Sequence, residues 1–219
     1  MATTIYSETD DGDIYVTSSP GGSSWADARD ATSGTATSNA IGNPTAVRAV
    51  IIGIGRGTHY SVSRAFFIFD VGRITHIPKS ATISIKGSLY GDADMRLVKS
   101  NQAIHLQHTD FDAIEGWVAG ADNRNNVTPY ETGVIYTWNT LAYNVITLSQ
   151  QALVDIAGLD YFKCCLIEYA SDLRSTAPTA PSGVNNKSGV VYADAVGTST
   201  DPKLLIKEQD DSVFFGANF

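Results

Sequence analysis

The stretch from Ser63 to Tyr90 carries the clearest hydrophobic pattern in the chain, because both of its halves alternate with a period of two. That period is typical of β-strands, whose successive side chains point to opposite faces. The first half predicts an apolar face of Ala65, Phe67, Phe69 and Val71, and a mixed face of Arg64, Phe66, Ile68 and Asp70. The second half predicts a second strand, with an inner face of Ala81, Ile83, Ile85 and Leu89.

Short apolar runs bounded by turn residues predict further strands along the chain. These runs are Thr3–Tyr6, Ile14–Thr17, Ala46–Ile54, Met95–Lys99, Gly133–Trp138, Tyr143–Leu148, Phe162–Ala170, Val190–Ala195 and Lys203–Lys207. One helix is predicted over Gln150–Ala157, where Ser149 can cap the start and Gly158 the end. The fold class that follows is all-β: a two-sheet, jelly-roll-like β-sandwich with one short crossover helix.

Two segments fall outside the strand pattern. Residues 18–44 are dominated by turn residues, with Trp25 as the one large apolar side chain, and predict a long loop. Residues 209–219 follow the last strand and contain Phe214, Phe215 and Phe219. These three apolar side chains do not belong to any predicted strand, so the strand pattern does not predict where they are buried. We expect one sandwich domain over residues 1–208 and a C-terminal arm over 209–219. The phenylalanines of the arm either fold back onto the sandwich or form a subunit interface by docking in a neighbouring subunit, and the second is the favoured interpretation.

Composition narrows the classes of partner. The 219 residues carry a formal net charge of -8 and a pI near 4.8, with no cluster of Lys and Arg for a nucleic-acid backbone. No window approaches the roughly 20 apolar residues of a membrane helix, and the first residues lack the pattern of a secretion signal. The high content of Thr, Ser, Gly, Asn and Tyr is typical of a surface-exposed β protein. A bacteriophage virion protein, released by host lysis, is a hypothesis that agrees with both the composition and the missing signal. A processed signal peptide or a cytoplasmic role would also agree with them.

The two cysteines, Cys164 and Cys165, are adjacent within a predicted strand. Neighbouring strand residues project to opposite faces, so the pair excludes a disulfide framework and predicts strand residues of which at least one is buried.

Two acidic segments are candidate metal sites. Glu8, Asp10, Asp11 and Asp13 surround Gly12, and carboxylate oxygens of this kind are preferred by calcium. Carbohydrate-binding jelly rolls often hold a structural calcium between the first strand and the residues that enter the last, so a similarity to them implies a calcium set of Glu8, Asp10 and Asp201. A solvated acidic turn is the alternative. His105, His108, Asp110 and Asp112 resemble metal ligands superficially, but we expect solvated loop histidines there, because strand residues three apart face opposite ways.

Catalytic motifs are missing from the sequence, which has no G-x-S-x-G elbow, phosphate loop, H-E-x-x-H or C-x-x-C. We therefore expect a protein that is not an enzyme. Loop aromatics could instead stack on sugar rings, with Trp25, Tyr60 and Tyr130 as the candidate platform and Tyr90, Trp117 and Tyr136 as further members of the set.

The order of several short motifs resembles the DNRLRE-type β-sandwich domains. They are SRAFFIFDVGRITHIPKSATISIKGSLY, then YTWNTL, VITLSQQALVDIAG, YFKCCLIEYAS and DPKLLIKE, which together span most of residues 46–208. The chain departs from that pattern in its 18–44 loop, in an insertion around GADNRNN and in its tail. The resemblance implies a module similar to carbohydrate-binding jelly rolls, of the kind found in extracellular and viral surface proteins.

The leading expectation is a non-enzymatic structural protein of a bacteriophage virion surface, such as a capsid decoration (cement) subunit or a fibre component. Its partners would be copies of itself and other virion proteins. The alternative is a carbohydrate-binding module that takes glycans, with or without a structural calcium. A glycan-active enzyme is the third hypothesis.

Overall fold

A computed structural model describes residues 2–19, 24–34, 36–38, 45–54, 57–179, 186–193 and 198–208. The strands are β1 (Ala2–Tyr6), β2 (Gly12–Thr17), β3 (Ala36–Ser38), β4 (Thr45–Ile54), β5 (Gly57–Asp70), β6 (Ser80–Gly91), β7 (Met95–Lys99), β8 (Tyr143–Thr147), β9 (Tyr161–Glu168), β10 (Lys187–Val190) and β11 (Lys203–Lys207). The helices are α1 (Trp25–Arg29) and α2 (Gln150–Gly158). The predicted all-β sandwich is confirmed, and so is the helix after Ser149.

All strand pairs are antiparallel, and they form two layers. The first layer follows the order β1-β11-β6-β8, and the second is built on β5, which pairs with β2, β4 and β9. Strand β7 continues the second layer beyond β9, and β10 joins the layers by pairing with both β4 and β6. The β10 crossing is tight: a Cβ on Gly189 would lie 2.0 Å from the carbonyl oxygen of Ser88.

The alternation in β5 produces two separate apolar clusters. Its residues Ala65, Phe67 and Phe69 face the first layer, where they join the inner residues of β6, β8 and β11 and the buried side of α2. We call this cluster the sandwich core. Cys164 of β9 also belongs to it, whereas Cys165 points to the opposite face. Both cysteines are free and buried, which agrees with the prediction that at least one is buried.

The opposite face of β5 is also buried. Phe66 lies there with Cys165 and Ile167, under segments that include α1, residues 111–127 and Leu173. We call this cluster the loop-covered core. Of the predicted 18–44 loop, the described residues 24–34 include the short helix α1, which Ser24 caps with its side chain and in which Trp25 and Ala28 are buried.

Candidate functional site

The acidic turn places its carboxylates in different environments. Asp11 is buried and accepts hydrogen bonds from the Ser7 hydroxyl at 2.7 Å and from the Ala193 backbone N–H at 3.0 Å. Burial is the main cause that raises the pKa of Asp11 to about 7, and the charges of Asp201 and Asp10 add to it. A fully solvated acidic turn, the alternative interpretation, is thus wrong for Asp11.

The predicted calcium set of Glu8, Asp10 and Asp201 is only partly brought together. Asp201 is buried near Asp11. Asp10 instead accepts a hydrogen bond from Nδ1 of His105 at 2.9 Å. Within the described ranges, no group of three or more His, Cys, Asp or Glu side chains is placed to hold a metal. Calcium binding stays a prediction.

The predicted sugar platform of Trp25, Tyr60 and Tyr130 does not form. Tyr130 is 0% exposed, stacks on Phe162 with 4.6 Å between ring centroids, and donates its hydroxyl to Asp155 at 2.6 Å. Trp25 is buried with its ring edge-on to half-buried Tyr60. The platform prediction is wrong for Tyr130 and Trp25, because both rings are needed to fill apolar cores.

A buried charged cluster lies in the loop-covered core, where sequence analysis predicted only a mixed strand face. Arg64 is 0% exposed and donates from Nε and Nη2 to the two carboxylate oxygens of Asp172, at 2.9 and 2.8 Å. Its guanidinium also lies 4.1 Å from the ring centroids of Phe111 and Trp117. Arg29 donates to the backbone carbonyl of Asp172 at 2.5 Å. The sequence signal was a charged residue, Arg64, directly before the apolar run of residues 65–69.

Glu168 completes this cluster. Its carboxylate accepts backbone N–H groups of Ala170, Ser171 and Asp172, which holds the π-helical turn Tyr169–Leu173 in place. Burial raises the pKa of Glu168 to about 7. Because the side chains of Arg64 and Asp172 are fully buried, the cluster fixes the loops on β5 and does not contact solutes.

An open groove of about 530 Å³ lies between residues 131–137 and β8. We call it the β8 groove. Its volume is in the ~300–1,000 Å³ range of ordinary ligand clefts. Two of its lining residues are exposed apolar side chains: Tyr136 is 66% exposed and Val145 65%. Leu141, which precedes β8 and lies outside the lining, is 87% exposed. A strand was predicted over Gly133–Trp138, but the structure forms only an isolated bridge from Ile135 to Met95 there.

The groove begins where a short antiparallel ladder ends. Thr132 donates its backbone N–H to Thr147 at 3.2 Å, and Ser149 donates to Tyr130 at 2.7 Å. The next hydrogen-bonded pair of a continuing ladder would be Val134 with Val145. In the described part of the chain no backbone bond joins those two residues, so the two segments separate there.

The backbone groups on the β8 wall follow from its pairing with β6. Leu148 donates to Ala81 and Gly87 donates to Ala142, each at 3.1 Å, which sets the hydrogen-bonded register of this ladder. Hydrogen-bonded pairs alternate with non-hydrogen-bonded pairs in an antiparallel ladder. Val145 and Tyr143 belong to the second kind, so their N–H and C=O groups point away from β6 and into the β8 groove.

The opposite wall is arranged in the same way. Ile135 exchanges both backbone hydrogen bonds with Met95, at 2.9 and 3.0 Å. The backbone groups of its neighbours Val134 and Tyr136 therefore point away from β7, toward the groove that they line. An additional extended chain placed between the two walls can form hydrogen bonds with the inward-pointing backbone groups of both.

In comparisons with known proteins, no protein-family model matches the chain, and no curated protein matches its sequence. The resemblance to DNRLRE-type domains thus stays a prediction. Among the described residues, no helix is long and apolar enough to cross a membrane.

Proposed function

We propose that the chain is a non-enzymatic structural subunit of a bacteriophage virion surface, a decoration or fibre component that acts through subunit contacts. The observation that carries the proposal is the β8 groove: an open strand edge bordered by Tyr136, Val145 and Leu141 is a surface suited to another polypeptide. The order of motifs that resembles viral surface modules and the acidic, Ser- and Thr-rich composition support the virion assignment.

Self-association is tested by size-exclusion chromatography with light scattering over a range of concentrations. The full chain should assemble, and Val145→Lys should shift it to monomer, because a charge would have to be buried at the contact. Val154→Lys is the matched control, since Val154 is exposed on α2 and does not line the groove. If both variants and the unchanged chain have equal masses, the β8 groove is not the surface of self-association.

The virion assignment has its own test. Purified particles from a culture that carries this gene should contain the chain as a repeated structural component, detected by quantitative mass spectrometry. Recovery of the chain in the soluble lysate and not in particles would overturn the assignment.

A carbohydrate-binding module is the second candidate, favoured by one observation. The exposed ring of Tyr136 borders the β8 groove beside Tyr143 and Asn144, which combines an aromatic face with polar side chains. A glycan array should then give a positive sugar whose binding is lost in Tyr136→Ala. An array without signal for the unchanged chain would rule against this candidate.

A further inference from the structure

We propose that the β8 groove is a strand-insertion site, and that its occupant is the segment 209–219 of a second copy of this chain. The inference rests on the proposed function, because it needs subunits that contact one another. It identifies which part of one subunit enters which part of the next.

The groove offers hydrogen bonds on both walls. Val145 and Tyr143 present backbone groups from β8, and Val134 and Tyr136 present them from the facing segment. An extended chain placed between the walls would pair with both and would restore the ladder that ends at Thr132 and Thr147. A polypeptide strand satisfies such a row of alternating donors and acceptors more completely than a small solute does.

The sequence of residues 209–219 suits that role. The segment reads QDDSVFFGANF, and Val213, Phe214 and Phe215 are residues with high strand propensity. In an extended conformation Val213 and Phe215 would lie on one face and Phe214 on the other. The exposed side chains of Tyr136, Val145 and Leu141 around the groove supply the apolar contacts for such residues.

Charge favours the same partner. The chain has a net charge of -8, so two copies repel each other on average. Two lysines lie at the open end of the groove: Lys86 is paired with Tyr143 across the ladder, and Nζ of Lys203 lies 4.2 Å from the centroid of the Tyr143 ring. Among the described residues, Asp201, whose backbone carbonyl accepts the Tyr143 hydroxyl, is the one acidic residue near that ring, so the lysines outnumber it. Asp210 and Asp211, which precede Val213, are complementary to these two lysines.

Chain direction favours a second copy over the same subunit. Strand β11 runs from Lys203, opposite Ser84, to Lys207, opposite Ser80, so the chain leaves the sheet at the Ser80 end. The groove is closed near Thr147, opposite Thr82, and opens toward Tyr143, opposite Lys86. To enter its own groove, the segment would have to reverse and run back about 20 Å along the sheet, at ~3.3 Å per residue.

The test uses two full-length variants that each remove one side of the contact. Val145→Pro deletes an N–H that points into the groove and leaves the β6 bonds intact, because proline is tolerated where an edge strand's N–H faces outward. Phe214→Ser combined with Phe215→Ser removes the apolar residues of the inserted segment. Val145→Thr and Asn218→Ser are the matched controls, since they keep that N–H and those phenylalanines.

Light scattering and hydrogen exchange give the readouts. The unchanged chain and both controls should assemble, and each test variant alone should be monomeric. A mixture of the two test variants should form a species of twofold mass, because one supplies an intact segment and the other an intact groove. In that mixture the amides of Tyr143 and Val145 in the chain with the intact groove should exchange at least about tenfold more slowly, equivalent to about 1.4 kcal/mol of protection.

The outcomes separate the two proposals. Assembly of the unchanged chain and of both test variants would overturn strand insertion and leave the proposed self-association standing. A monomeric unchanged chain whose Val145 amide is protected, with protection lost in Phe214→Ser/Phe215→Ser, would place the segment in its own groove and overturn the second-copy proposal. A monomeric unchanged chain with unprotected amides would contradict both self-association and strand insertion.

Discussion

On one face of β5, Ala65, Phe67 and Phe69 pack against the opposite sheet; on the other face, Arg64 and Phe66 pack under loops and the short helix α1. The sandwich core is built from regular strands and apolar side chains. In the described part of the chain, loops and α1 cover the loop-covered core in place of a second sheet, and Arg64, Asp172 and Glu168 hold these loops by hydrogen bonds. Irregular backbone carries polar groups that need partners when buried, and the charged cluster supplies them.

Removing one charge from the loop-covered core should give the largest loss of stability, and it tests whether charges hold this core as apolar contacts hold the sandwich core. Asp172→Ala leaves Arg64 buried without its carboxylate, and we expect a loss of about 3–5 kcal/mol in the free energy of unfolding. Urea denaturation followed by circular dichroism measures it. The double variant Arg64→Met/Asp172→Leu is the control and should recover most of the loss. A single variant as stable as the unchanged chain would contradict this role.

Phe67→Ala and Phe66→Ala compare the two cores directly, because these neighbours in β5 are both buried and face opposite ways. We expect Phe67→Ala to cost about 3–5 kcal/mol, as large truncations in rigid cores do. Phe66→Ala should cost less, since loops relax into a cavity more readily than paired strands. The same denaturation experiment compares them, and a larger loss for Phe66→Ala would show that the loop-covered core is the more rigid one.

Stability should also depend on pH through one carboxyl beside each core. Burial raises the pKa of Asp11 and of Glu168 to about 7, from ordinary values of 3.8 and 4.5. The folded chain therefore holds protons that the unfolded chain releases, so this contribution is complete below the unfolded values and is lost as the pH rises through about 7. The free energy of unfolding should fall between about pH 5 and about pH 8.

Single substitutions assign that pH dependence to its source. Asp11→Asn and Glu168→Gln should each flatten the decline of stability with pH. Asp10→Asn should flatten it much less, because Asp10 is half-exposed and its charge makes only the smallest contribution to the raised pKa of Asp11. A decline that survives in both buried variants would mean that other groups cause it.

The smallest effects are expected at the two helix caps. Ser149 accepts the backbone N–H of Ala152 at the start of α2, and Ser24 accepts that of Asp27 at the start of α1. Each Ser→Ala change should cost about 1 kcal/mol, and each Ser→Gly change only a few tenths. Thermal denaturation with local hydrogen exchange would check that each loss is confined to its own helix; a loss spread over both cores would argue that the helices are coupled.

Local pattern was enough to predict the strands that build the sandwich core. The β11 strand KLLIK, the opposed faces of Cys164 and Cys165, and the helix capped by Ser149 all appear where sequence analysis placed them. These features depend on a period of two or on a cap, and both are set by residues close together in the chain. Residues 209–219, with their predicted interface of Phe214, Phe215 and Phe219, lie outside the described residues.

The sites could not be predicted in the same way, because their members meet over long sequence distances. Arg64 and Asp172 are 108 residues apart, and Asp11 and Ala193 are 182 apart. Tyr130 lies in a polar loop of the sequence, yet its ring is needed to fill the sandwich core. The β8 groove is open because residues 131–137 and β8 stop pairing after Thr132 and Thr147. Neither segment has a local sequence pattern that predicts this point of separation.

The sequence by itself determined that this chain is a β-sandwich, since alternation assigns each strand an inner and an outer face before any strand meets another. Tertiary structure alone decided that the second face of β5 is also buried and that Arg64 is held there by Asp172. It also decided that Tyr143 and Val145 of β8 have no backbone partner on their outer edge among the described residues. The physical reason is that burial and pairing are properties of contacts between segments, and a local pattern cannot specify which distant segment supplies them.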